Sequence, residues 1–142
     1  MSSTMTRDEW RAFVAHGTRT GKLATVRSDG RPHVVPIWFV LDGDDLAFTT
    51  GARSVKGRTM RRDPRVCLCV DDERPPFAFA MIEGTATLSE DPAELLRIAT
   101  AVGERYMGAD RAEEFGRRNG GPGELLVRIT PSNVFALDDI TG

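Results

Sequence analysis

The sequence has few of the residues that build disulfide frameworks and metal clusters. It contains two cysteines and two histidines among 142 residues, whereas a disulfide scaffold or a zinc site needs several suitably spaced ligands. Cys67 and Cys69 are separated by one residue on one face of a predicted strand, a spacing that favours buried packing over a disulfide. We therefore predict no disulfide and no metal site.

Long apolar segments are also absent. No run approaches the ~18 residues that cross a bilayer, and the N-terminus, Met-Ser-Ser-Thr-Met-Thr, has no apolar signal-peptide core. We expect a cytoplasmic protein with no membrane partner. The hydrophobic content of 40% and the charged content of 28% are typical of a globular chain. Its length fits one domain over residues 1–142, with residues 1–5 as a flexible N-terminus.

Strand and turn signals alternate along most of the chain. We predict strands over residues 22–27, 33–41, 46–50, 65–70, 77–88, 124–130 and 133–137, with a bulge at Gly84. Pro36 argues against a fully bonded central strand at its position. Capping signals predict helices that begin after Thr6, Ser54 and Asp91, and residues 107–118 form a further helical piece. An antiparallel meander with helices at its edges predicts a mainly β (α+β) fold, a six- to seven-stranded closed or split β-barrel.

The most informative segment is residues 48–64, in which a strand ends at a glycine turn and a short basic helix follows. Ser54 can cap this helix, Lys56 lies in its first turn and Arg53 precedes the cap. Residues 53–65 carry six cations and one acid, a local charge of +5 in a chain of net charge −2. Free amides, the helix dipole and these cations together favour an anion, most simply a phosphate.

Two other interpretations of the basic segment stay open at this point. Arginines on a short helix are often only a solvated face, and a basic cluster can also bind nucleic acid. No aromatic residue lies within the cluster, although a single-strand binder would use aromatic rings for base stacking. A nucleic-acid partner is therefore the least favoured of the three, and we expect none.

Five sequence pieces, in this order and at this spacing, resemble one known family. They are residues 28–33, 35–39, 49–56, 61–65 and 82–86. The chain resembles the split β-barrel oxidoreductases of the pyridoxamine 5′-phosphate oxidase-like superfamily, and within it the small deazaflavin-dependent enzymes that use coenzyme F-420. The likeness spans roughly residues 23–137, nearly the whole chain.

The resemblance implies roles for particular residues. The strand that lays its backbone along the cofactor ring corresponds to Val35, Pro36, Ile37 and Trp38. Side chains beside the cofactor and around its phosphate correspond to Thr49, Thr50, Ser54, Lys56 and Thr59. A residue that approaches the ring from the other subunit corresponds to Phe79. The resemblance further implies a homodimer with two cofactor sites between the protomers.

Departures from the flavin members bear on the choice of cofactor. Many FMN enzymes have an arginine where this chain has Val55, so that Arg53 or Arg58 would have to substitute. They also tend to have a hydrogen-bonding side chain where Phe79 stands. Both changes favour coenzyme F-420 over FMN, which stays the alternative. The arginine-containing C-terminal tail of pyridoxamine phosphate oxidases has no counterpart here, so vitamin B6 oxidation is not expected.

The resemblance predicts an oxidoreductase that transfers a hydride from reduced F-420 to a small unsaturated organic substrate. A non-catalytic cofactor-binding protein is a further alternative. The sequence offers no convincing catalytic side chain. His33 is either a proton source or a surface turn residue, and Trp38 either lines the cofactor or packs in a dimer. Trp10 is expected in the core.

Overall fold

The computed structural model describes residues 4–142 of the chain. The helices and strands follow one another in the order α1 Arg7–Ala15, β1 Gly21–Val26, β2 Pro32–Ile37, β3 Val40–Asp42, β4 Asp45–Gly51, α2 Val55–Arg62, β5 Arg65–Asp71, β6 Phe79–Ser89, α3 Pro92–Met107, α4 Ala112–Asn119 and β7 Glu124–Leu137. A short 3-10 turn, Ala109–Arg111, joins α3 to α4. The expected mainly β (α+β) fold is confirmed.

The strands form one antiparallel sheet in the order β2-β1-β5-β6-β7-β4-β3. This arrangement fits a split barrel, but it is not the predicted meander, because β1 pairs with β5 and β4 pairs with β7. Hairpins are visible in the sequence as local turns. The two long-range pairings join segments that have no local signal for each other, so the predicted strand order was wrong.

The segment predicted as one strand over residues 33–41 is two strands in separate parts of the sheet. β2 pairs with β1, whereas β3 pairs with β4. The backbone of Phe39, between them, is bonded by α3 instead of a strand: its N–H donates to Tyr106 Oη at 3.2 Å and its carbonyl accepts from Arg105 at 2.6 Å. Pro36 lies in β2 at the end of the strand order, where a missing amide is tolerated.

The two strands predicted over residues 124–130 and 133–137 are one strand, β7. It pairs with β6 from Leu126 to Leu137 and with β4 from Glu124 to Ile129. The register shifts between Glu83 and Gly84, opposite Pro131 and Asn133, which confirms the bulge predicted at Gly84. The irregularity around Pro131 looks like a strand break in the sequence, although the pairing continues through it.

The capping predictions are confirmed at all three helices. Thr6 and Glu9 form a reciprocal capping box at the start of α1. Ser54 and Asp91 cap α2 and α3, and α2 ends at Asp63, directly before Pro64. The predicted helical piece over residues 107–118 is divided, because α3 continues to Met107 before Gly108, with φ of +94°, ends it.

Two apolar clusters surround the β4–β7 pair. The larger fills the barrel interior and includes Trp10, as predicted, with the fully buried rings of Phe39 and Phe48. The smaller holds α3 against the outer side of β4 and β7 through Leu95, Ile98, Val102, Ala47 and Leu126. This packing fixes the position of α3 and α4 beside the ends of β2 and β4.

The flexible segment expected over residues 1–5 lies partly outside the described residues, which begin at Thr4. Thr4 forms a bridge with Leu137, and the Met5 amide donates to the Ala136 carbonyl at 2.9 Å. No helix over residues 4–142 is long and apolar enough to span a membrane.

Candidate functional site

A cleft of about 430 Å³ lies where β2 and β4 end and α2 begins. Six of the predicted cofactor-binding residues line it, namely Pro36, Ile37, Trp38, Thr49, Thr50 and Lys56. The remaining lining comes from Gly51, Val102, Asn119 and Glu124. The structure therefore brings the strand predicted to face a cofactor ring and the corner predicted to hold a phosphate to one cavity.

The first turn of α2 is packed tightly against the end of β4. Ser54 Oγ accepts a hydrogen bond from the Gly57 amide at 3.0 Å and donates to the Gly51 carbonyl at 2.8 Å. Thr50 Oγ1 lies 3.2 Å from Ser54 Oγ. A Cβ added to Gly57 would approach the Gly51 carbonyl to 2.7 Å. Only glycine at this position allows the helix to begin so close to the strand.

This start leaves hydrogen-bond donors available beside the cleft. The amides of Val55 and Lys56 are the first two of α2, so they have no acceptor within the helix. The Lys56 side chain lines the cleft and is half-buried, and burial lowers the pKa of its ammonium group. An anion in this corner would meet two backbone donors, the positive end of a helix and a partly desolvated cation.

The other cations of the basic segment fall into two groups. Arg61 pairs with Glu90 at 3.6 Å and Arg65 with Asp63 at 2.8 Å, while Arg62 donates to the Val26 carbonyl. Arg53 and Arg58 are exposed and, within residues 4–142, form no ion pair. Neither lines the cleft, so any contact they make with an anion would be at its outer side.

Four further predicted site residues do not line the cleft. Ser54 is engaged in the helix cap described above. Thr59 is 4% exposed on the buried side of α2, and Val35 packs against the barrel core. Phe79 lies on β6, where its ring meets that of Phe135 edge-on at 5.8 Å. A position beside a cofactor for these four stays a prediction.

Trp38 forms one wall of the cleft and is held from behind by α3 and α4. Its ring stacks on Tyr106 at 5.1 Å, nearly parallel, and contacts Phe115 at 6.0 Å. Tyr106 Oη in turn donates to the Arg19 carbonyl at 2.8 Å. Trp38 is still 37% exposed. The exposed part of the ring is open to a planar ligand or to packing in a dimer, so both roles stay predictions.

The sequence analysis missed three lining residues, Val102, Asn119 and Glu124. Glu124 pairs with Gly51 across the β4–β7 ladder, which brings its carboxylate to the side of the cleft that holds Lys56. Burial raises the pKa of Glu124, and Lys56 opposes that shift. The glycine-rich turn over residues 120–123 marks a sharp return of the chain, but only the pairing of β7 with β4 shows where it leads.

His33 lies in β2 and not in the preceding turn. It is paired with Thr25 of β1, and both residues are on the core-facing side of their strands. Among the buried side-chain atoms of the described residues, His33 Nδ1 and Thr25 Oγ1 have no hydrogen-bond partner. The interpretation of His33 as a surface turn residue was therefore wrong, and its role as a proton source stays a hypothesis.

A second cleft of about 430 Å³, lined by residues of the α1–β1 connection and the β5 end, differs in its charges. Its cations already have carboxylate partners: Arg19 pairs with Asp72 at 3.2 Å and Lys22 with Asp71 at 2.8 Å. Paired charges have little electrostatic energy left for a ligand. The cleft beside α2 is the better candidate for an anionic cofactor.

Known proteins resemble the chain in both sequence and fold. The profile of the family described as pyridoxamine 5′-phosphate oxidase matches residues 6–138. Rv2991, a conserved protein of Mycobacterium tuberculosis, is 30% identical, with a TM-score of 0.82 over 93% of this chain and 84% of its own. An F420 reductase is 27% identical, with a TM-score of 0.66 over 87% of this chain and 94% of its own. A Listeria innocua protein named after pyridoxamine 5′-phosphate oxidase is 26% identical, with a TM-score of 0.72 over 91% and 95%.

Proposed function

Because the chain belongs to the pyridoxamine 5′-phosphate oxidase family, we propose that it is an oxidoreductase whose cofactor is coenzyme F-420. Its reaction is hydride transfer from the reduced cofactor to a small unsaturated organic substrate. The observation that carries the proposal is the single cleft that joins Lys56 and the α2 start to the end of β2. The likeness to an F420 reductase supports the choice of cofactor.

The donors at one end of the cleft fit the phosphate of such a cofactor. Lys56 supplies an ammonium group, and the amides of Val55 and Lys56 supply two further donors. Thr49 and Thr50 also line the cleft, and Thr50 Oγ1 lies 3.2 Å from Ser54 Oγ. Because Ser54 holds α2 against Gly51, its hydroxyl fixes the positions of these donors.

The other end of the cleft fits a flat ring. Ile37 and the exposed face of Trp38 supply apolar and aromatic surface, and Pro36 exposes the edge of β2. When bound, the deazaflavin supplies a carbon hydride donor in place of the central redox nitrogen of a flavin. The chain's own residues orient the ring.

Among the described residues, Lys56 and Glu124 are the acid–base side chains that line the cleft, and no other does. We expect the proton that accompanies hydride transfer to come from water. His33 is the side chain to test as the alternative proton source.

The proposal includes a homodimer formed through the outer face of the sheet. Val34 on β2 and Phe135 on β7 are 64% and 45% exposed on this face. Cys69 and Met81, paired between β5 and β6, lie on the same face, and Met81 is opposite Phe135. Burying this apolar surface against a second copy is favourable, and it would bring Phe79 near the partner's cleft.

A direct titration tests the proposed cofactor. We expect the purified protein to bind F-420 at micromolar or lower concentration and FMN more weakly, and to reoxidise reduced F-420 when quinones, enones or tetrapyrroles are supplied. Tight FMN binding with no affinity for F-420 would replace the proposal by a flavin enzyme. Tight F-420 binding with no turnover of any acceptor would indicate a cofactor carrier.

A further inference from the structure

Glu124 places a carboxylate in the cleft that the proposed function assigns to a phosphate. It lines the cleft together with Lys56 and lies opposite Gly51, the last residue of β4, in the β4–β7 ladder. The backbone supports this position, because the Ala52 amide donates to the Gly123 carbonyl at 2.9 Å. Glu124 therefore begins its strand beside the start of α2.

The two charges of the cleft act on each other through space. Burial lowers the pKa of Lys56, and Glu124 partly restores it. Burial raises the pKa of Glu124, and Lys56 partly lowers it. Both groups are only partly exposed, so solvent screens their fields less than it does at the open surface. A phosphate bound by Lys56 would also feel the negative field of Glu124.

Resting on the proposed function, we propose that Glu124 is a specificity residue that shifts the selectivity of the site towards a phosphodiester and away from a phosphomonoester. A phosphodiester carries one negative charge, whereas a phosphomonoester carries nearly two at neutral pH. The attraction to Lys56 and the repulsion from Glu124 each scale with that charge. The carboxylate therefore penalises a terminal phosphate about twice as strongly as a phosphate that continues into a tail.

This difference separates the two candidate cofactors. The phosphate of F-420 is a diester between the ribityl chain and an acidic tail, whereas that of FMN is a terminal monoester. A neutral residue in place of Glu124 would remove the part of the discrimination that comes from the carboxylate and leave the attraction to Lys56, which favours the more highly charged monoester. The single change Glu124→Gln preserves the size of the side chain and removes its charge, while one acceptor oxygen is replaced by an amide donor.

Three ligands with one ring isolate the charge at the phosphate. We would titrate riboflavin, FMN and the methyl phosphodiester of FMN into the native protein and into Glu124→Gln at pH 8, where FMN is a dianion. We expect the substitution to tighten FMN binding about tenfold and the methyl diester about threefold, because the energy doubles with the charge. Riboflavin should be unaffected, and added salt should reduce both gains.

Two further variants make the result specific to this corner. Glu104→Gln removes an exposed carboxylate of α3 that does not line the cleft, and it should change none of the affinities by more than about twofold. Lys56→Ala should weaken FMN and the methyl diester but not riboflavin. That result would show that the esters bind where the proposed function places them.

The outcomes separate the two proposals. If Lys56→Ala weakens both esters but Glu124→Gln tightens them equally or not at all, the proposed site stands and the selectivity role is refuted. A loss of affinity for all three ligands in Glu124→Gln would also refute it, because that pattern means a hydrogen bond to the ribityl chain. If both esters bind but Lys56→Ala weakens neither of them, the proposed site and the inference fail together.

Discussion

The two ends of the β4–β7 ladder handle charge in opposite ways. At the end next to β3, Asp42 accepts hydrogen bonds from Arg128 at 2.6 Å and from Arg97 at 3.0 Å. Arg97 and Arg128 also contact Glu94 at 2.7 and 3.3 Å. These two acids and two arginines form a closed network, which lowers the pKa of Asp42 to about 2.

At the other end, next to α2, the charges are close but not mutually satisfied. Lys56 and Glu124 line an open cleft, and Arg53 and Arg58, among the described residues, have no ion-pair partner. The comparison teaches that a charged cluster stabilises the fold when its members satisfy one another. A cluster left open instead retains electrostatic energy for a ligand. Substitutions at the first end should change stability alone, and those at the second end should change binding.

The largest effect is expected at the centre of the closed network. Arg128→Met should lower the free energy of unfolding by about 2–3 kcal/mol, because Asp42 and Glu94 lose their less exposed arginine, whose side chain is 25% exposed, and keep only Arg97. Cofactor affinity should stay within about twofold of the native value. Urea unfolding and a cofactor titration on the same sample measure both quantities. Arg111→Met, which breaks an exposed pair with Glu114, should lower the free energy of unfolding by less than about 1 kcal/mol.

The same network should show a pH dependence of known sign. Because the pKa of Asp42 is lowered in the folded state, its contribution is complete above about pH 4 and is lost as the pH falls towards 2. We expect Asp42→Asn to be about 1–2 kcal/mol less stable than the native protein at pH 6, a figure reduced for solvent screening. The gap should close between pH 4 and 2 in urea unfolding series. A gap that is constant down to pH 2 would contradict the network.

A smaller effect compares two helix caps. Ser54→Ala and Asp91→Ala each remove a side-chain cap, from α2 and α3, and each should cost about 1 kcal/mol of unfolding free energy. Only Ser54→Ala should also weaken cofactor binding, by about three- to tenfold, because Ser54 fixes the amides of Val55 and Lys56. Equal cofactor affinity in the two variants would mean that the α2 start does not form the anion site.

The parts of the fold that could be predicted are those set by neighbouring residues. The capping box at Thr6, the cap at Ser54, the helix end before Pro64 and the bulge at Gly84 each depend on a few adjacent side chains. The strand order could not be predicted, because β1 with β5 and β4 with β7 pair across long stretches of sequence. The division of residues 33–41 failed for the same reason, since Phe39 is held by α3.

The same distinction between local and long-range contacts applies to the residues of the candidate site. Lys56, Thr49 and Thr50 are neighbours in the chain, so the sequence could predict that they share a corner. Glu124 joins this corner only through the pairing of β7 with β4, and Asn119 and Val102 only through the packing of α3 and α4. Residues that enter a site through tertiary contacts have no local pattern to identify them.

The central claim is that the phosphate of a redox cofactor binds where β4 meets α2, at Lys56. Its most direct test is the F-420 affinity of Lys56→Ala, measured beside Arg61→Ala, which removes an exposed cation paired with Glu90. We predict that Lys56→Ala weakens binding by about 1–3 kcal/mol, the scale of a lost charge-assisted hydrogen bond, with no loss of folding stability. Arg61→Ala should bind as the native protein does. Unchanged F-420 affinity in Lys56→Ala would contradict the account.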